Sequence, residues 1–95
     1  MGLVLAEDQE LMRHMDDCFK DDPRLAEELA REGLQRFPDS LNSDKRNKYL
    51  VFALFNQQKM SQARREAYSY LVLHPSGQYR EEMSHILGLR PSPQP

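Results

Sequence analysis

The stretch between Asn47 and Pro75 constrains this chain most, because it has the pattern of two amphipathic helices joined by a very short polar turn. Its apolar residues recur at the spacing of one face of an α-helix. In the first half they are Leu50, Val51, Leu54 and Phe55, widened by Tyr49 and Phe52, and in the second half Ala63, Ala67, Tyr70, Leu71 and Leu73. A single helical hairpin cannot bury such faces alone, so the rest of the chain should supply a similar unit.

The residues before this hairpin repeat its pattern at an offset of 37 positions. Pro38 then aligns with Pro75 and Ala26 with Ala63. The segments around the two prolines, FPDS and HPSG, both end an apolar periodic stretch and begin a polar connection. Further apolar positions that coincide are Leu34 with Leu71, Ala30 with Ala67, Met15 with Phe52, and Met12 with Tyr49. The chain therefore contains two related helical units.

We predict an all-α fold of about five helices, in which two antiparallel helix–turn–helix units stack in a short solenoid and a C-terminal helix caps them. The units span about 5–41 and 42–78 and the cap 79–88, all within one domain of residues 1–90. A chain of 95 residues allows one such domain with a modest core. The Pro-rich residues 89–95 are predicted to form a disordered tail or linker.

Capping residues and helix breakers predict where the helices begin and end. Asp22 is a good N-cap for the second helix, and Pro23 suits its first position. Ser43 or Asp44 is predicted to cap the third helix, and Ser76 the short fifth helix. The predicted helices are about 7–19, 23–37, 44–57, 61–74 and 77–87, with Gly88 as the final stop.

The order of small, apolar and proline residues in each unit resembles the tetratricopeptide repeat family, whose unit is a helix–turn–helix of about 34 residues. The matching positions are Ala63, Ala67, Tyr70, Leu71 and Pro75 in the second unit, and Ala26, Ala30, Gly33, Leu34 and Pro38 in the first. Gln58 departs from the family pattern where glycine is favoured, and Asn47 where tryptophan is favoured. The FPDS segment more distantly resembles repeats of bacterial envelope proteins, such as outer-membrane assembly lipoproteins and Tol–Pal-associated coordinators.

Charge and composition narrow the function classes. A net charge of −2 and a pI near 5.9 argue against a general nucleic-acid binder, which has to neutralise phosphates. One cysteine excludes an intrachain disulfide, and no apolar run is long enough to cross a bilayer. The first residues also lack the basic start and long apolar core of a signal peptide. We expect a cytoplasmic protein without membrane insertion, or a periplasmic one if a targeting segment has been removed.

Few residues suggest catalysis or metal binding. His14 and Cys18 lie four positions apart and would share a helix face, but two ligands do not make a metal site. A Cys–His nucleophile would also need a third, orienting group, which the sequence does not supply. The alternative to a ligand pair is a small core cysteine beside a surface histidine. We expect no enzymatic activity, no metal and no cofactor.

The basic residues are concentrated on the second unit, where a solvated face and a phosphate-binding patch are the two possible explanations. We expect the acidic residues Glu27, Glu28 and Asp44 to be interleaved with them on the folded surface, which favours the solvated face. The residues concerned are Lys45, Arg46, Lys48, Lys59, Arg64 and Arg65. A small nucleic-acid- or metal-binding helical protein stays open as the less favoured alternative.

The tetratricopeptide resemblance implies a concave groove lined by the first helix of each unit. The implied partner-binding residues are Met12, Met15, Phe19, Lys45, Lys48, Tyr49, Phe52, Phe55 and Asn56. Some family members grip a ligand's terminal carboxylate with a Lys and Asn pair on this helix. Here Lys48 fills the lysine position but Phe52 replaces the asparagine, so that clamp is incomplete.

We therefore expect a non-enzymatic protein–protein interaction module, a scaffold or adaptor, that holds an apolar segment with acidic flanks in this groove. The partner would be another protein or peptide. One alternative is a self-associating hairpin domain whose groove is a homodimer interface. A second alternative concerns Phe52, whose helical spacing is equally compatible with simple core packing.

Overall fold

Residues 2–88 fold into five α-helices joined by short turns. The computed structural model describes the backbone of residues 2–88 and the side chains of residues 6–88. The helices are α1 (Gly2–Cys18), α2 (Pro23–Arg36), α3 (Ser43–Asn56), α4 (Met60–Leu73) and α5 (Arg80–Ile86). No β-strand occurs in residues 2–88, so the predicted all-α fold of about five helices is confirmed.

The two helices of each unit run antiparallel, because opposite helix ends contact each other. Glu7 near the start of α1 forms an ion pair with Arg36 at the end of α2, at 2.6 Å. Asp44 near the start of α3 lies 3.7 Å from His74, which follows the end of α4. The most extensive packing is between neighbours in the sequence, from α1 on α2 to α4 on α5. The helices therefore stack in chain order.

The 37-residue offset seen in the sequence recurs in the helix boundaries. Helices α2 and α4 both contain 14 residues, and Met60 follows Pro23 by 37 positions. Helix α5 likewise begins 37 positions after α3, so it occupies the place of a third first helix. The buried core is Met12, Met15, Ala26, Ala30, Leu50, Val51, Ala53, Leu54, Ala63, Ala67, Tyr70 and Met83.

Several predicted helix ends are wrong. Helix α1 begins at Gly2 rather than at residue 7, because Leu3, Leu5 and Ala6 are good helix formers and no proline interrupts residues 2–6. Helix α5 begins at Arg80 rather than at residue 77. The loop before α5 is held by the Tyr70 hydroxyl, which accepts a hydrogen bond from the Tyr79 N–H at 3.2 Å. The other helices differ from prediction by a residue or so at each end, and residues 89–95 lie outside the described part of the chain.

The predicted caps had mixed outcomes. The Asp22 carboxylate accepts a hydrogen bond from the Leu25 N–H at 3.1 Å, which confirms the N-cap of α2. Ser43 does not cap α3; it is the first helical residue, and its hydroxyl donates to the Pro38 carbonyl at 3.0 Å. Ser76 does not cap α5, whose N-cap position is Tyr79. The stop at Gly88 is confirmed by its φ of 77°, which favours glycine.

A buried ion pair joins the first unit to the second. Arg46 on α3 is 0% exposed and forms an ion pair with Asp8 on α1. Its Nη2 also donates to the Asp8 backbone carbonyl at 2.8 Å. The Asp8 carboxylate accepts further hydrogen bonds from the Ser40 hydroxyl and, at 3.4 Å, from the Asn42 amide. Two guanidinium nitrogens of Arg46, Nε and Nη1, have no hydrogen-bond partner among the described residues.

The prediction that Arg46 belongs to a solvated basic face is therefore wrong. Glycine at position 33 makes its burial possible, since a Cβ there would lie 2.1 Å from the Arg46 Nε. Burial alone would raise the pKa of Asp8, but hydrogen bonds from Ser40, Arg46 and Asn42 and the charge of Arg46 together lower it. The pair is thus ionised at neutral pH.

Candidate functional site

A shallow, open cleft of about 490 Å³ lies between the end of α1, one face of α3 and the start of α5. Its lining residues are Phe19, Lys20, Lys48, Tyr49, Phe52, Asn56 and Glu82. Tyr49, Phe52 and Asn56 are three or four positions apart and lie on one face of α3. We refer to this surface as the α1–α3 cleft. It is aromatic at its base and charged at its rim.

Aromatic contacts hold the base of the α1–α3 cleft. The rings of Phe19 and Tyr49 are 4.5 Å apart between centroids and inclined by 35°. The Tyr49 hydroxyl donates a hydrogen bond to the Asp16 carboxylate on α1. Burial, together with this hydrogen bond and the Asp16 charge, raises the pKa of Tyr49 well above its ordinary value. The phenol therefore stays neutral and keeps the α1 and α3 walls together at physiological pH.

Lysine side chains form the rim. The Lys48 Nζ lies 3.6 Å from the Glu82 carboxylate and 4.6 Å from the centre of the Tyr79 ring. Lys45 lies 3.6 Å from the Asp16 carboxylate, beside the cleft. Such partly exposed pairs stabilise a protein by at most about 1 kcal/mol each, so the rim can exchange partners at low cost.

The structure gathers five of the predicted partner-binding residues into the cleft: Phe19, Lys48, Tyr49, Phe52 and Asn56. Lys45 lies at its edge, with its Nζ 5.6 Å from the centre of the Tyr49 ring. Phe52 is partly buried, and it lines the cleft while also packing against the core. The groove position and the core position that the sequence allowed as alternatives therefore occur together. Phe55 is 40% exposed but does not line the cleft.

Two of the predicted groove residues require correction. Met12 is 4% exposed and Met15 is 1% exposed, and both belong to the core. The middle of α1 packs on α2, and the cleft is reached only by Phe19 and Lys20, which directly follow the C-terminal end of α1. Neither methionine contacts a partner at this surface unless the core opens.

Two lining residues, Lys20 and Glu82, were missed by sequence reasoning. Lys20 follows the end of α1, in the connection that the sequence predicts between the first two helices. Glu82 follows the predicted groove residue Lys45 by 37 positions, so the repeat offset could have found it. The sequence pattern predicts the fifth helix as a cap. In the structure this helix begins 37 positions after α3 and so corresponds to the first helix of a third unit.

A second, polar depression of about 400 Å³ adjoins the cleft beyond Asn56. Beside it, Glu27 accepts hydrogen bonds from Gln57 at 2.8 Å, Arg31 at 3.0 Å and Lys59 at 3.2 Å. Burial opposes ionisation of Glu27, but these three donors and the Lys59 charge lower its pKa. Gln57 and Lys59, two of its lining residues, are thus already paired within the protein, which makes it a weaker docking site than the α1–α3 cleft.

His14 and Cys18 lie in different environments on α1. His14 is exposed, whereas Cys18 is partly buried and its thiol donates to the Met15 carbonyl at 3.7 Å. Burial and the charges of Asp22 and Asp17 raise the pKa of the Cys18 thiol, which keeps it protonated. Within residues 6–88, no group of three or more His, Cys, Asp or Glu side chains could hold a metal ion.

In residues 2–88 these features define an all-α stack of helical hairpins with an aromatic, lysine-rimmed cleft on its surface. Searches against known protein families, curated proteins and solved structures found no match for the chain. None of the described helices is long and apolar enough to cross a membrane.

Proposed function

We propose that this chain is a non-enzymatic protein–protein interaction module that binds a segment of another protein in the α1–α3 cleft. The observation that carries the proposal is the aromatic base of the cleft, formed by the partly exposed side chains of Phe19, Tyr49 and Phe52. Aromatic side chains in a concave surface are typical anchors of protein interfaces, since their desolvation concentrates the binding energy. A shallow, open cleft suits a helix or an extended segment better than an enclosed small molecule.

The charges at the rim support a segment with acidic flanks. Lys20 and Lys48 line the cleft, and Lys45 lies beside it. Opposite charges on a partner would steer its approach and fix its register on the cleft.

The repeat geometry supports assigning the chain to tetratricopeptide-type interaction proteins. Helices α2 and α4 have equal lengths, and α3 and α5 begin one 37-residue offset apart. The α1–α3 cleft then corresponds to the concave groove of such repeats. A scaffold or adaptor in a bacterial envelope assembly is the setting that the FPDS resemblance favours.

The test is a Phe52→Ala variant. Affinity capture from the source cell first supplies a partner, and its affinity is then measured for purified parent and variant. We expect the variant to bind about 2 kcal/mol more weakly, or worse, because an aromatic anchor is lost. Tyr68→Ala is the matched control, since Tyr68 is a 63% exposed aromatic on α4, outside the cleft.

Stability is measured on the same variants, because Phe52 also contacts the core. Leu54→Ala, a fully buried truncation, should lower the free energy of unfolding by about 2–5 kcal/mol, and Phe52→Ala by less. Unchanged affinity of the folded Phe52→Ala fraction would contradict the proposal. Light scattering at several concentrations identifies the alternative occupant: a dimer lost in Phe52→Ala would mean that a second copy fills the cleft.

A further inference from the structure

The two lysines that line the α1–α3 cleft differ in whether they form an ion pair. Lys48 is placed 3.6 Å from Glu82, the single acidic lining residue. Lys20 forms no ion pair with any side chain of residues 6–88. The cleft therefore presents one unpaired cation and one cation whose partner comes from α5 of the same chain.

The contact between Lys48 and Glu82 has the properties of an exchangeable pair. Their separation exceeds a normal hydrogen-bond distance, and their side chains remain 26% and 43% exposed. The Lys48 ammonium also faces the Tyr79 ring at 4.6 Å, which holds it at the rim independently of Glu82. Another carboxylate could thus replace that of Glu82 without displacing the lysine.

We infer that the cleft selects segments in which a carboxylate lies next to an apolar anchor, and that Glu82 is an internal competitor for that carboxylate. This inference rests on the proposed function. An incoming Asp or Glu side chain pairs with Lys48, Glu82 turns to solvent, and a second carboxylate can pair with Lys20. Lys20 and Glu82 thereby determine specificity, Lys20 by attraction and Glu82 by competition and like-charge repulsion.

The position of Glu82 in the fold makes such a movement inexpensive. Helix α5 has only 7 residues and packs mainly on α4. Glu82 lies in its first turn, beside Glu81, which is exposed and lies outside the cleft. Glu81 therefore shares the helix-end environment of Glu82 but not its contact with Lys48, which makes Glu81→Gln a matched control.

The experiment uses two synthetic probes of equal size, acetyl-Glu-Phe-Leu-Glu-amide and acetyl-Gln-Phe-Leu-Gln-amide. Each is titrated into the isotopically labelled chain at low salt, and the dissociation constant is read from NMR shifts of cleft amides. We expect the carboxylate probe to bind about two- to fivefold more tightly than the amide probe. Raising the salt to about 0.5 M should remove most of that preference, because exposed charges are screened.

The variants assign the preference to particular residues. Glu82→Gln should lower the dissociation constant of the carboxylate probe about two- to fivefold and leave that of the amide probe unchanged. Glu81→Gln should change neither constant. Lys20→Gln should weaken the carboxylate probe by a similar factor, whereas Arg65→Gln on the outer face of α4 should not.

Each contrary result separates this inference from the proposed function. Equal affinity for the two probes at cleft residues would overturn the carboxylate preference but leave the docking cleft in place. Equal effects of Glu82→Gln and Glu81→Gln would overturn the role of Glu82 as a competitor. Failure of both probes to shift any cleft residue would overturn both the inference and the docking cleft itself.

Discussion

Arg46 determines the chemistry of the boundary between the two units. Its guanidinium is removed from water, pairs with Asp8, and lies 5.7 Å from the centre of the Phe37 ring. At the equivalent place one offset later, α5 inserts the fully buried Met83. One junction is therefore ionic and the next is apolar. Buried ion pairs contribute little net stability but are costly to break, so this junction should be intolerant of single substitutions.

The first prediction concerns Gly33, which makes room for Arg46. A Cβ at this position would lie 2.1 Å from the Arg46 Nε and 2.6 Å from its Cδ. Gly33→Ala should therefore destabilise the protein by about 1–3 kcal/mol in urea unfolding, although alanine is the better helix former. Gln35→Ala, at an exposed site of the same helix, is the control and should be neutral. A Gly33→Ala variant as stable as its parent would contradict the packing of Arg46 against α2.

A second prediction follows from the lowered pKa of Asp8. A carboxyl group whose pKa is lowered on folding stabilises the protein above its unfolded pKa of about 3.9 and loses that contribution as the pH falls. At pH 7, Asp8→Asn should cost about 3 kcal/mol or more, since it leaves the Arg46 charge unpaired.

As the pH falls below about 3.9, the stability difference between parent and Asp8→Asn should narrow, because the unfolded parent takes up a proton at Asp8 more readily than the folded parent, in which the pKa of Asp8 is lowered. Glu27 also has a lowered pKa, but it is common to both proteins and cancels in the difference. The measurement is urea unfolding from pH 7 to pH 2.5. A difference that stays constant across this range would show that the Asp8 charge does not matter.

At the scale of helices, the boundaries were predicted accurately where local capping residues and helix breakers specify them. Asp22 and Pro23 specify the start of α2, and the segments FPDS and HPSG follow the ends of α2 and α4. The starts of α1 and α5 were misplaced because no local cap specifies them. The start of α5 depends on Tyr70 and the loop that it holds, a tertiary contact that periodicity cannot reveal.

A third prediction concerns the turn between α3 and α4, where the chain departs from the family pattern. Gln58 has a φ of 62°, in the left-handed region that favours glycine. The N–H of Lys59 donates to the Leu54 carbonyl and that of Gln58 to the Phe55 carbonyl, both at 2.9 Å, which is a Schellman motif.

Gln58→Gly should relieve the strain of a side chain in this conformation and stabilise the protein by about 0.5–1 kcal/mol in thermal or urea unfolding. Gln58→Ala is the control, since its Cβ keeps the strain, and it should give no such gain. An equal gain from alanine and glycine would mean that the side chain of Gln58, and not its backbone conformation, is unfavourable.

For the whole molecule, stacking in chain order produces an elongated shape, with principal extents of 49 × 27 × 19 Å. The middle of the stack and its C-terminal end differ in how many helices support them. Helix α3 packs on both α2 and α4, whereas α5 is short and packs mainly on α4. Stability should therefore decrease toward α5, as it does toward the ends of repeat arrays.

Native-state hydrogen exchange tests this gradient. Amides of α5 should exchange through local opening at a lower free energy than amides of α3, which should approach the global value. The fully buried Leu54 and Met83 amides are a suitable pair for comparison, since both are hydrogen-bonded within helical turns. Equal protection at both sites would mean that the chain opens only as one cooperative unit.

The candidate cleft was predictable in outline but not in detail. Helical spacing placed Tyr49, Phe52 and Asn56 on one face of α3, and the repeat offset related that face to α1. The burial of Met12 and Met15 was not predictable from spacing alone, because an apolar helix face has the same pattern whether neighbouring helices cover it or leave it open as a groove. That distinction depends on how α1 inclines against α2 and α3, which the spacing of residues does not encode.

The ion pair between Arg46 and Asp8 also has a consequence for the rate at which the protein folds and unfolds. The helices pack mainly on their neighbours in the sequence, and such local topologies fold within microseconds to milliseconds. Asp8 and Arg46 are 38 residues apart, so their contact requires both units to be in place and should form late. Interactions absent from the folding transition state act on the unfolding rate. The buried pair should therefore lower the unfolding rate of a chain whose topology favours rapid folding.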